Sequence, residues 1–188
     1  MGDCNIMGAF SSGGGGGGGA LWSQAYQTTV TDANFDTGSD GIDFKKYIQM
    51  WLSFDGFDLG GSTNYKLESR FNNSSSAEYD ARILQNSNMS TVIGGTDLNI
   101  FSAGGTMTEE TAGNLFCSMI NISGQPKYGY ANGSWYLDGQ DGGHFNRSST
   151  WFQWTNTALL TRVAIVPDYG NASYVFSDAT LTILHSDG

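Results

Sequence analysis

Apolar and polar residues alternate in several short segments of this chain, which is the pattern of β-strands with one buried face. The alternation is clearest at residues 65–71 and 116–122, and residues 47–54 have the composition of a strand. Further strands are predicted at residues 78–84, 127–130, 134–137, 150–154, 159–166, 172–176 and 179–184. Gly, Asn and Asp separate these segments, so the sequence predicts roughly ten short strands joined by turns.

The spacing of these strands indicates the fold class. They follow one another at about a dozen residues with no helix between them, which is typical of a sandwich. We therefore predict an all-β, antiparallel β-sandwich of jelly-roll type. Asn132-Gly133 predicts a hairpin turn between residues 127–130 and 134–137, because a two-residue type I′ turn needs positive φ at both positions. Residues 108–113 are a candidate for a single helical turn.

The first 43 residues differ in composition from the rest of the chain. Glycine occupies every position from Gly13 to Gly19, and the apolar anchor Ala20-Leu21-Trp22 follows. A glycine run has no side chains to pack, so ordering it requires contacts from outside the chain's own core. We predict a Gly-rich N-terminal arm at residues 1–43, used for docking or oligomerisation, and a β-sandwich domain at residues 44–188.

The charge balance narrows the range of partners. The 188 residues include 8 Lys and Arg against 18 Asp and Glu, which gives a net charge of −10 and disfavours nucleic acid. No apolar stretch approaches the ~18 residues of a membrane helix, so no membrane insertion is expected. Two cysteines are too few for a disulfide framework, and the apolar run around Cys117 predicts a buried core position.

Imidazole and metal chemistry has little support in the sequence. Only His144 and His185 offer a base for a serine nucleophile, and no Gly-x-Ser-x-Gly elbow accompanies them. Residues 138–144 and 55–58 combine Asp with Gly, as loops that bind Ca²⁺ through oxygen ligands do. Neither segment matches an EF-hand loop, and the same residues are common in turns, which is the simpler interpretation of both. We predict no catalytic, cofactor-binding or metal-binding residue and no cofactor.

Glycoside hydrolysis would require a pair of carboxylates. Glu68, Glu78 and Asp80 lie in strand-like segments and are the candidates. Lys66, Glu68 and Arg70 lie two residues apart, so they share one face of the predicted strand and place a cation, an anion and a cation along it. A solvated strand face stabilised by side-chain pairs is the simpler interpretation of that segment.

Aromatic residues concentrate in the last third of the chain. Trp135, Trp151 and Trp154 are candidate glycan-binding residues, because exposed rings beside Asn and Asp build carbohydrate-binding surfaces. Strand alternation places Trp151 and Phe152 on opposite faces, so one of them points away from the core. Rings also fill cores and subunit interfaces, and packing is the alternative interpretation.

Several of these segments occur in an order that resembles a known domain. The matching segments are residues 65–74, Glu78-Tyr79-Asp80, residues 116–121, residues 160–165 and residues 181–184. Their order resembles a β-sandwich domain found in tail fibres and related virion surface proteins of tailed bacteriophages, especially phages of aquatic bacteria. The similarity covers residues 44–186, and it departs at Ile183-Leu184-His185, where the family has a Leu-Tyr-Gly type of sequence. The resemblance implies structural and binding roles with no catalytic residues.

We therefore expect a non-enzymatic structural component of a tailed-phage virion, displayed at the virion surface on a tail fibre or tail tip. The expected partners are further copies of the chain in a homotrimer, other virion proteins, and a host-surface glycan used in host attachment. A capsid decoration (cement) protein is one alternative. A carbohydrate-binding lectin-like module or a glycan depolymerase is an alternative of another class.

Overall fold

The computed structural model describes residues 21–38, 41–58, 66–102, 112–137, 144–167 and 174–188. Strands occupy most of these residues, and none of the described segments forms a helix that would span a membrane. The strands are β1 (Ser23–Ala33), β2 (Phe35–Asp36), β3 (Tyr47–Asp55), β4 (Phe57–Asp58), β5 (Lys66–Phe71), β6 (Tyr79–Gln85), β7 (Asn88–Gly95), β8 (Leu98–Ser102), β9 (Ala112–Ile120), β10 (Lys127–Leu137), β11 (His144–Trp154), β12 (Val163–Val166) and β13 (Val175–Ser186).

The strands form two antiparallel sheets. The large sheet has nine strands in the order β1-β13-β3-β9-β10-β11-β6-β7, with β4 also paired to β13. The small sheet has four strands in the order β2-β12-β5-β8. In the small sheet, β8 packs over β6, β10 and β11 of the large one, and the Thr150 hydroxyl donates a hydrogen bond to the Ile100 carbonyl across the two sheets at 3.0 Å. The prediction of an all-β antiparallel sandwich is therefore confirmed.

Strand β3 shows why these sequences form half-buried strands. Ile48, Met50, Leu52 and Phe54 are buried, whereas Trp51 between them is exposed. Side chains two residues apart share one face of a strand, so the first set faces the small sheet and Trp51 faces away from it. The predicted burial of Cys117 on the neighbouring β9 is confirmed, and burial raises the pKa of its thiol to about 12.

An aromatic cluster joins the two sheets. Phe71, at the end of β5 in the small sheet, lies 5.5 Å from the ring of Trp154, 6.1 Å from that of Phe152 and 6.0 Å from that of Tyr79, measured between centroids. The backbone N–H of Phe71 donates a hydrogen bond to the Tyr79 hydroxyl at 2.9 Å, and that hydroxyl donates one to the Ser74 carbonyl at 3.2 Å. This cluster fixes how the small sheet lies on the large one.

The N-terminal part of the fold differs from the sequence prediction. β1 pairs with β13 along most of its length, and β2 pairs with β12. Phe35 is buried in the core, and its ring centroid lies 5.2 Å from that of Phe176. Residues 23–36 therefore belong to the sandwich, and the predicted boundary after residue 43 is not an edge of the fold. The glycine run lies outside the described residues.

The predicted hairpin at Asn132-Gly133 is wrong. Both residues lie inside the continuous strand β10, where Asn132 faces Phe116 of β9 on one side and Ser149 of β11 on the other. Pairing on both sides keeps the backbone extended, which outweighs the local turn preference. The two-residue turn with positive φ instead joins β6 to β7, at Asn86 (43°) and Ser87 (81°).

Other strand boundaries also change. The predicted strands 172–176 and 179–184 form a single strand, β13, as far as these residues are described. Of the predicted strand 159–166, only residues 163–166 form a strand, β12. The sequence pattern does not predict β1, β2, β4, β7 or β8. β7 is an edge strand with mostly exposed residues, so it lacks the alternation that marks a half-buried strand. Of the predicted helical turn, residues 112–113 begin β9, and residues 108–111 lie outside the described part of the chain.

The position of β1 and β2 predicts how truncations behave. Deletion of residues 1–20 leaves β1 and Phe35 in place, so this shorter chain should keep the stability of the sandwich and is the reference for the comparison. Deletion of residues 1–43 removes an edge strand and the buried Phe35, whose loss alone costs about 3–5 kcal/mol. Urea denaturation followed by circular dichroism checks this, and equal stability of the two truncated chains would contradict the role of β1 and β2.

Gly129 predicts a second test of the core. A Cβ at this position would lie 2.2 Å from Cζ of Phe152, its partner across the strand pair, so Gly129→Ala should destabilise the fold by about 1–3 kcal/mol. Phe152→Leu removes the ring that causes the overlap. The double variant should therefore lose less stability than the sum of the two single losses, as measured by a thermal-denaturation cycle. Additive losses would show that the overlap is not the cause.

Candidate binding surface on the large sheet

The predicted glycan-binding tryptophans do not share a surface. Trp135 and Trp154 are buried, with 1 % and 0 % of their surface exposed, and only Trp151 is exposed, at 47 %. Trp151 and Trp154 are three residues apart on β11, so alternation places them on opposite faces. Trp135 shares the core-facing side of β10 with Ala131. The set of three is therefore corrected to Trp151 alone, and the predicted opposition of Trp151 and Phe152 is confirmed.

Glu78 has a structural role next to the aromatic cluster. Its Oε2 accepts hydrogen bonds from the Ser74 hydroxyl at 2.8 Å and from Trp154 Nε1 at 3.1 Å, and its Oε1 accepts one from Asn156 Nδ2 at 3.1 Å. Burial by itself would raise the pKa of Glu78, but the hydrogen bonds from Ser74, Asn156 and Trp154 outweigh it and hold that pKa below its ordinary value. The carboxylate thereby ties the end of β11 to the loop before β6.

The other two candidate carboxylates are also held in the fold. Glu68 is buried, which corrects the prediction of a solvated face at this position. It lies on β5, between β12 and β8 in the small sheet. Arg70 forms an ion pair with Asp97. Asp80 Oδ1 accepts a hydrogen bond from the Gly94 N–H at 2.8 Å, at the irregular register between β6 and β7. Glu68 therefore lies in a different sheet from Glu78 and Asp80.

The candidate histidine and metal positions have local roles where they are described. His185 Nδ1 accepts a hydrogen bond from the Lys45 N–H at 3.3 Å, and His144 begins β11. Gly56, with φ of 87°, accepts a hydrogen bond from the Ser177 N–H at 3.2 Å, in keeping with the turn interpretation of residues 55–58. Residues 138–143 lie outside the described residues. Within the described ranges, no group of three or more acidic, His or Cys side chains is placed to hold a metal.

The side of the large sheet that faces away from the small sheet carries a different set of aromatic residues. We call this set the outer aromatic face, and its members are Trp51, Phe116, Tyr128, Tyr130, Tyr136 and Trp151. These residues lie on β3, β9, β10 and β11, which are adjacent interior strands of the sheet. Because each of these strands is paired on both sides, the face has a rigid backbone beneath it.

The rings are held in pairs across neighbouring strands. Trp51 faces Phe116 with a centroid separation of 4.6 Å, and Tyr130 faces Trp151 with a separation of 5.6 Å, both in tilted geometry. Asn132 Nδ2 donates hydrogen bonds to the Tyr130 hydroxyl at 2.8 Å and to Ser149 Oγ at 3.1 Å. The rings are therefore positioned before any partner arrives.

An open depression of ≈ 360 Å³ lies at the Trp51 end of this face. Its lining residues include Trp51, Phe116, Ser53, Asn114, Thr180 and Thr182, and every residue that lines it is uncharged. The Thr180 hydroxyl lies 2.9 Å from that of Thr29, and Asn114 Oδ1 accepts a hydrogen bond from Ser134 Oγ at 3.2 Å. The depression thus combines ring surfaces with positioned amide and hydroxyl groups.

The sequence contained a signal for this site that the predictions missed. Ile48, Met50, Leu52 and Phe54 form one alternating apolar set, which leaves Trp51 on the other face of the same strand. The predictions treated residues 47–54 as a strand without assigning its faces. Phe116 alternates with the apolar Leu115 and Cys117 in the same way.

Comparison of the chain with protein-family models, with curated proteins and with solved structures gives no match. The surface is therefore interpreted from its own chemistry. Tyr and Trp rings beside amides and hydroxyls present apolar area and polar groups together, which suits recognition of a ligand or partner of mixed polarity.

The hydrogen bonds of Glu78 predict a dependence of stability on pH. Because the pKa of Glu78 in the folded protein lies below its ordinary value of 4.5, the ionised carboxylate stabilises the fold above that pH. The contribution is lost as the pH falls through the folded-state pKa. Glu78→Gln should destabilise the fold by about 1–3 kcal/mol at neutral pH. Because glutamine does not titrate, the variant should lose less additional stability than the wild type when the pH is lowered.

Urea denaturation across a series of pH values measures this difference. Asp43→Asn, which removes a carboxylate with 94 % of its side chain exposed, is the matched control and should follow the wild type. The same acid dependence in Glu78→Gln and in the wild type would contradict the role of Glu78.

Proposed function

We propose that this chain is a non-enzymatic structural and binding module displayed on the surface of a tailed-phage virion, on a tail fibre or tail tip. The observation that carries the binding role is the outer aromatic face, a set of six rings, four of them exposed, on four interior strands of one sheet. The virion assignment is supported by the order of segments that resembles tail-fibre β-sandwich domains, and the two-sheet architecture agrees with it.

The outer aromatic face suits binding without catalysis. Trp51, Tyr128, Tyr136 and Trp151 are each exposed by roughly half, so apolar area is available for burial against a partner. Trp and Tyr have only two side-chain torsions, and the rigid sheet beneath them lowers the entropy lost on binding. These features support a preformed contact surface.

Display of several copies on a virion would raise the overall affinity of such a surface for a cell. Several copies bound to one particle engage a cell surface together, and effective concentration then raises the overall affinity above that of each single contact. In this proposal the chain forms a homotrimer, residues 1–20 take part in assembly, and the sandwich presents the outer aromatic face to the host.

Immunogold electron microscopy tests the location of the protein. Fab fragments raised against the folded chain, applied to purified particles whose genome encodes it, should label tail fibres or tail tips. Label on the capsid would replace the tail assignment with capsid decoration, and unlabelled particles that also lack its peptides by mass spectrometry would overturn the virion proposal.

The oligomeric state is tested separately by light scattering. The full chain should have three times the mass of one copy. The chain that begins at residue 21 keeps the described sandwich and should have the mass of one copy. A full chain of monomer mass would contradict assembly as a trimer, and a trimer in both would place the assembly contacts in the sandwich.

A further inference from the structure

The depression beside Trp51 has the features of a ligand site within the outer aromatic face. The Trp51 ring is 51 % exposed and is held by its tilted contact with Phe116. Thr180 and Thr182 lie on β13, directly opposite Ser53 and Trp51 of β3. Asn114 lies opposite Ser53 on the other side, on β9. Three adjacent strands thus bring one large ring and several neutral polar groups to the same place.

The chemistry of these groups indicates the class of ligand. An aromatic ring packs against the apolar C–H face of a sugar ring, and amides and hydroxyls hydrogen-bond to the sugar hydroxyls around its rim. The chain carries a net charge of −10, yet no charged residue lines the depression. A charged ligand would find no ion partner among the lining residues, whereas an uncharged saccharide needs none.

We propose that this depression binds an uncharged oligosaccharide, with Trp51 stacking on a sugar ring and with Asn114 and Thr180 binding its hydroxyls. The inference rests on the proposed function in that it names the ligand class of the same outer aromatic face. It assigns the stacking role to Trp51 in place of the tryptophans predicted from the sequence.

Ile93 provides a control outside the outer aromatic face. Its side chain is apolar and 82 % exposed. It lies on the edge strand β7, five strands from β3, which is about 24 Å at the usual spacing between strands. Ile93→Ala therefore removes an exposed apolar side chain that belongs neither to the depression nor to the outer aromatic face.

The experiment uses the full chain on an array of uncharged glucan, mannan and galactan oligosaccharides, with sialylated and sulfated glycans as charged counterparts. Binding should be confined to uncharged glycans. Isothermal titration with the best array ligand should show about a tenfold loss of affinity or more in Trp51→Ala, a small loss in Trp51→Phe, and a change below about twofold in Ile93→Ala. Near-ultraviolet circular dichroism confirms that each variant is folded.

The outcomes separate this inference from the proposed function. No binding to any uncharged glycan, or equal losses of affinity in Trp51→Ala and Ile93→Ala, would overturn the saccharide site. Particle labelling would still decide the virion assignment. Saccharide binding that depends on Trp51, in a protein that is not found on particles, would support the site and overturn the virion assignment.

Discussion

The packing of Phe71 among the rings of Tyr79, Phe152 and Trp154 is the contact on which the relation between the two sheets depends. Phe71 ends a strand of the small sheet, and the other three rings belong to adjacent strands of the large sheet. The Phe71 N–H also donates a hydrogen bond to the Tyr79 hydroxyl, so the contact is directional as well as apolar. Burial raises the pKa of Tyr79 to about 12, so the hydroxyl stays protonated and keeps its donor capacity.

The polar groups around this cluster are part of the same arrangement. Glu78 accepts the indole N–H of Trp154, and its backbone carbonyl accepts the Thr155 N–H at 2.8 Å. A buried indole N–H without an acceptor would be costly, so the carboxylate stabilises the fold by accepting this hydrogen bond. A glutamate that the sequence offers as a catalytic candidate thus has a structural role next to the core.

The division of the large sheet into two faces links the core to the proposed binding role. Met50, Leu52 and Phe54 face the small sheet and hold β3 in place, while Trp51 on the same strand projects outwards. The close-packed core on one side of the large sheet makes the sheet rigid, so the rings on the outer aromatic face keep their spacing. Recognition and stability therefore use alternate residues of the same strands.

The sequence by itself determined the all-β class, the half-buried strands, the burial of Cys117 and the opposite orientation of Trp151 and Phe152, because period-two alternation is a local property of an extended chain. Tertiary structure decided which strands are neighbours. Pairing with β9 and β11 held Asn132-Gly133 in a strand, and pairing with β13 brought β1 into the sandwich. It also brought Trp51, Asn114 and Thr182 together from three strands that lie far apart in sequence. Such juxtapositions arise from long-range pairing, which no local pattern encodes.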